Sequence, residues 1–203
     1  PAPAPATAET AGATAACTEG ATAAYTGAVR RLVCVLWLGA CGDPAPPASQ
    51  TFDFGPYMLA AGQEIKSQCV SVTLNNAEPL YINAVELTTG PGFHHSNWFW
   101  VPDNEFQGED GTWRCSDRGY DEAVAGLLGG VLFAQSTQAQ HELQSFPPGA
   151  ATVVPPHSRI IAGTHLLNLG DMPVSLSLQL TIKPIGAQAA LNLVVPFSLE
   201  GGQ

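Results

Sequence analysis

Residues Pro173–Ile185, PVSLSLQLTIKPI, alternate apolar and polar side chains one for one. Val174, Leu176, Leu178, Leu180 and Ile182 are interleaved with Ser175, Ser177, Gln179, Thr181 and Lys183. In an extended chain successive side chains leave opposite faces, so this segment is a strand with one buried and one wet face. Such a strand is stable only in a sheet whose apolar face is covered by a second layer. Ile65–Leu74, Leu80–Thr88, Ser158–Asn168 and Leu191–Leu199 read as further strands. Glu122–Gln135 is ambiguous, because Gly126, Gly129 and Gly130 weaken a helix; a short strand is expected near Val131–Gln135. Breaks at Gly90-Pro91-Gly92, Pro147-Pro148-Gly149 and Pro155-Pro156 punctuate these runs. Many short strands, dense turn chemistry (21 Gly and 17 Pro) and no βα alternation predict an all-β fold, an antiparallel β-sandwich or jelly roll.

The amino-terminal quarter does not belong to that fold. Residues 1–28 form an Ala/Thr/Pro/Gly tract without hydrophobic period, expected to be absent from the mature protein. From Val29 the pattern changes. Arg30 and Arg31 precede a short apolar run, Leu32 to Ala40, and Leu38-Gly39-Ala40-Cys41 resembles a bacterial lipobox. The segment 29–41 therefore reads as a lipoprotein signal with Cys41 as the lipidated residue, or alternatively as a short buried strand. Residues 42–50, GDPAPPASQ, read as a tether, and 51–203 as a single domain. The expected location is the bacterial cell envelope, with the lipid anchor as the sole membrane attachment. No apolar run reaches the roughly 20 residues of a membrane-spanning helix.

Seven basic against seventeen acidic residues give a net charge of -10, which repels phosphate backbones and argues against a nucleic-acid partner. Of five cysteines, Cys17, Cys34 and Cys41 fall in the leader. The remaining two, Cys69 and Cys115, are an even number in an oxidising compartment and are expected to form a disulfide, the alternative being two buried thiols.

All five histidines lie between 94 and 165. The adjacent pair His94-His95 follows Pro91-Gly92-Phe93 and precedes Trp98-Phe99-Trp100. Neighbours in a regular strand point to opposite faces, so two adjacent imidazoles share a metal only where the strand is irregular, and the Gly-Pro-Gly break supplies a place for that. His165, in the apolar run IIAGTHLLN, is the best third ligand, since a buried imidazole there needs a polar partner. The alternative is an exposed pair plus a core histidine bonded to a carbonyl. An all-imidazole set suits Cu, Zn, Fe or Ni without choosing among them. His141 and His157 read as exposed. Glu109-Asp110 and Asp121-Glu122 read as solvated loop charges. No catalytic base is assigned.

At these residues the sequence resembles the N-terminal copper domain of the copper type II, ascorbate-dependent monooxygenases, the family of peptidylglycine alpha-hydroxylating monooxygenase and dopamine beta-hydroxylase. The resemblance spans about Thr51 to Ile185. It places His94-His95 on the family's His-His pair and His165, in PPGAATVVPPHSRIIAGTHLLN, on its third ligand. Cys69 in QCVSVTL and Cys115 in DGTWRCSDRG match the family disulfide. Ser96 stands where the family commonly has a hydrophobic residue, and Leu166 where it has an aromatic one. The resemblance implies one copper, reduced by ascorbate, that passes electrons to a second copper where a C–H bond is hydroxylated. That second site, with its His-x-His and Met, has no counterpart here: no histidine follows His165, and the methionines are Met58 and Met172. A second copper domain, in cis or in trans, is the partner the resemblance implies. Two other readings are a single-domain copper-handling lipoprotein without hydroxylase activity, and a metal-free sandwich that binds through Trp98-Phe99-Trp100.

Overall fold

In the computed structural model, residues 47–135 and 138–195 are described. The leader, with Cys41, and residues 196–203 of the last expected strand lie outside them. By its contacts the chain divides after Cys41, and every element below belongs to the second unit, Gly42–Gln203.

The alternating segment is strand β10, Val174–Ile185, the last long strand of the eleven among the described residues. The others are β1 (Gln50–Leu59), β2 (Glu64–Thr73), β3 (Leu80–Thr88), β4 (Phe93–Pro102), β5 (Gly111–Arg114), β6 (Gly130–Gln135), β7 (His141–Ser145), β8 (Ala150–Val154), β9 (Ser158–Leu167) and β11 (Asn192–Val194). One sheet runs β1-β10-β3-β8-β11 with β7 also on β3; the other runs β5-β2-β9-β4-β6. All pairings are antiparallel except β11 with β8. The fold is an all-β sandwich, as the alternation requires: Leu176, Leu178, Leu180 and Ile182 are buried, and they meet Val70, Phe93, Trp98, Ile160 and Leu166 of the facing sheet in one core.

The ambiguous stretch resolves into helix α1, Glu122–Leu128, followed by β6. Asp121 caps the helix by accepting from Val124 N at 2.9 Å. Gly129 ends it where no side chain fits: a Cβ there would lie 1.7 Å from the Trp100 carbonyl oxygen. The helix covers the outer face of the second sheet. There Ala125 packs with Phe99, Val101 and Ile161, flanked by Phe106, Trp113 and Tyr120. The middle of β4 and β9 is thus buried on both faces, which is why Ile160, Ile161 and Ala162 of β9 follow one another without polar alternation. The same burial argues against the aromatic stretch as a binding surface, because Trp98 and Phe99 are buried and Trp100 is half-buried. At the other end of the chain 192–194 of the expected strand 191–199 pair, and Gln50, read as tether, opens β1.

Candidate metal centre

The outer cover of β9 stops at Gly163, and His165 follows two residues later on the same face. Across from it, β4 runs in register from Pro102 opposite Ser158 to His95 opposite His165, then shifts before Phe93 opposite Leu166. Two steps along β4 match one along β9, so His94 is the extra residue of a β-bulge. The bulge lets Phe93 and Leu166 both enter the core while His94 stays on the outer face with His95. Strand β2, on the other side of β9, is also irregular here, shifting register between Ile65 and Gln68. His165 therefore sits beside a bulge in each neighbouring strand.

Three half-buried imidazoles converge as a result. The ring of His94 stacks on that of His165, with centroids 4.5 Å apart, while His95 meets His165 edge-on at 4.9 Å and His94 at 5.1 Å. One nitrogen from each ring lies within 4.8 Å of the other two, a group that could hold a metal ion. His165 Nε2 donates to Glu64 Oε1 at 2.8 Å. A carboxylate only accepts, so the neutral His165 ring keeps its lone pair on Nδ1. That atom faces His95 Nε2 at 3.0 Å, a spacing two ligand nitrogens can span when each sits about 2 Å from one ion. His94 Nδ1 is buried and has no hydrogen-bond partner. Burying a polar nitrogen without a partner is costly, and a metal would satisfy it. The set of ligand atoms and the orphaned nitrogen both fit a metal.

The surroundings of His95 favour its neutral, ligating form. Burial, then the neighbouring His165 and His94 rings, holds His95 below the usual histidine pKa of 6.5. Glu64 is held below the carboxylate value, first by Lys66, whose Nζ lies 3.1 Å from Oε2, and then by His165. Lys66, Glu64 and His165 form a chain that fixes one imidazole, as a carboxylate fixes a metal-ligating histidine.

The site opens into a pocket of about 320 Å³ walled by His95, His165, Tyr120, Glu122, Lys66 and Cys115. Tyr120 OH accepts from Gly163 N at 3.1 Å, and burial raises its pKa well above 10, so it stays a phenol. Gly163 makes close room for it. A Cβ at that position would lie 3.0 Å from Glu122 Oε1 and 3.1 Å from the Tyr120 ring. Cys115 is bonded to Cys69, which closes the expected disulfide. The bridge fastens the segment carrying Tyr120 to β2 beside the pocket.

The structure brings His94, His95 and His165 together and leaves His141 and His157 apart. His141 is exposed on the other sheet, paired with Glu86 at 2.7 Å. His157 is exposed in a bend at φ 57°. The acidic pairs are less free than their sequence suggests. Asp110 accepts from Thr73 N and Oγ1 and lies 3.7 Å from buried Arg159, Asp121 caps α1, and Glu122 accepts from Asn97 Nδ2 at 2.9 Å. Glu64 is the site residue that the sequence does not reveal, because it meets His165 across 101 residues with no local mark. Ser96 and Leu166 are both buried: Ser96 accepts from the Trp98 indole at 2.8 Å, and Leu166 fills the core opposite Phe93.

Set against known proteins, the chain matches no protein-family model and no curated protein.

Proposed function

We propose that this chain is an exported, lipid-anchored copper module in which His94, His95 and His165 hold one copper ion for electron transfer. The observation that carries the metal is the convergence of three imidazoles around a buried nitrogen that has no partner. The choice of copper rests on the resemblance of these three histidines and of Cys69 and Cys115 to the ascorbate-dependent monooxygenases. Neutral imidazoles suit copper in both oxidation states, and the bound ion supplies one-electron chemistry.

The protein's own residues do the rest. The two bulges fix the imidazoles on one face, Glu64 orients His165, and the low pKa of His95 leaves it unprotonated at neutral pH. The open pocket gives a small reductant such as ascorbate a way to the site. The electron would pass to a second copper domain, in cis or in trans, where hydroxylation takes place. Export agrees with the disulfide.

A second reading is a copper-handling envelope protein without hydroxylase activity, for which the one cluster found among the described residues suffices. Ascorbate added to the Cu(II)-loaded chain separates the two. An electron-transfer module is reduced by one electron per copper, keeps the metal and can be reoxidised. A handling protein releases its copper to a Cu(I) chelator on reduction. Copper that ascorbate does not reduce contradicts both.

A further inference from the structure

Beside β2 lies a second, larger pocket, about 500 Å³, that none of the three histidines lines. Its chemistry is opposite to that of the chain. Arg114 and Lys66 line it against Glu64 alone, a net charge of +1 in a protein of net charge -10. Arg114 is exposed, and its side chain makes no hydrogen bond or ion pair among the described residues. The other described basic side chains are all engaged: Lys66 with Glu64, Lys183 with Glu86, Arg118 with Trp113 and Ser71, and Arg159 with Thr73, Phe106 and Gly108. Gln68 is the cross-strand partner of Arg114, so the two side chains leave the same face side by side. The Gln68 amide nitrogen is buried and has no partner. Ile65 and Trp113 add apolar wall.

A guanidinium fork with nothing to hold, an unsatisfied amide beside it and an apolar wall together make a site for a planar anion carrying a small organic body. We propose that this pocket binds a small organic monocarboxylate, its carboxylate on Arg114 and its body against Ile65 and Trp113. The single net positive charge matches one carboxylate. Glu64 and Lys66 border the pocket, and Glu64 also accepts from His165, so the occupant lies one contact from the metal site.

The test is a titration of the metal-free 203-residue chain with sodium lactate, following the side-chain N–H resonances of Gln68, Arg114 and Trp113 by NMR. Working without metal keeps its failure separate from that of the copper reading. Saturable shifts confined to these groups, weakened at least about tenfold in Arg114→Gln, are expected. Arg114 is exposed, so the variant keeps the fold, and an unchanged urea midpoint confirms it. Shifts that do not saturate, that sodium chloride reproduces at equal ionic strength, or that survive unchanged in R114Q overturn the proposal.

Discussion

His95 and His165 are direct partners across β4 and β9, with Nε2 of one 3.0 Å from Nδ1 of the other. The contact exists because the chain inserts His94 as a bulge between this pair and the core pair Phe93 and Leu166. His94 adds a third imidazole to the group, and its Nδ1 is buried without a hydrogen-bond partner. His94→Ala should therefore separate binding from folding. Metal affinity should fall at least about tenfold, while metal-free stability stays within about 1 kcal/mol of the parent, since the lost packing is offset by removal of an unsatisfied nitrogen. Metal titration and urea denaturation of the same samples measure both. A large loss of stability with metal affinity intact would contradict this role for His94.

Glu64 acts on the metal through His165. Replacing it by Gln keeps the shape but weakens the acceptor that holds Nε2–H, and outer partners of this kind are worth about 10–100-fold in metal affinity. Glu64→Gln should lower affinity within that range without unfolding the protein, measured by competition with a chelator. Equal affinity would mean that His165 is oriented by the strands alone.

The disulfide fastens the pocket wall. Cys69 and Cys115 are 46 residues apart in sequence, and a bridge of that span stabilises by about 4 kcal/mol in the chain-entropy model. The Cys69→Ser/Cys115→Ser variant should lose about 2–4 kcal/mol in urea denaturation. Metal binding by the fraction still folded should weaken, because Tyr120 and Glu122 are no longer fixed beside the pocket.

Away from the site, Glu86 links stability to pH. Its carboxyl is held below 4.5, first by the hydrogen bond from Lys183 and then by that from His141. The unfolded chain therefore takes up this proton at a higher pH than the folded one. The stabilisation is present above pH 4.5 and is lost as pH falls through the folded-state value. Urea midpoints measured from about pH 6 down to about pH 3 should fall less steeply in Glu86→Gln than in the parent. Parallel curves would show that the Lys183 and His141 contacts contribute nothing in solution.

The sequence shows plainly the alternation of β10, which has one wet face and is legible residue by residue. β2, β3 and the doubly buried β9 lie within a residue or so of their expected ends. β4 carries no alternation because α1 and its aromatic neighbours cover the face that would otherwise be polar. His94, His95 and His165 stand out as candidates because a strand's period makes adjacent imidazoles anomalous and a lone imidazole in an apolar run needs a partner. The bulge that resolves the anomaly depends on pairing with β9, and Glu64 on a contact across 101 residues, so neither leaves a local trace. Asp110 and Glu122 look like loop charges until Thr73 and Asn97 are brought to them by the fold.

Copper stoichiometry with Cu(II) EPR, on the folded, disulfide-intact chain and on His165→Ala, tests the three-imidazole centre most directly. One copper per chain with nitrogen hyperfine structure is expected in the parent, with loss of that signal in the variant. No copper above background in folded parent protein, or full binding with an unchanged spectrum in His165→Ala, would contradict the centre.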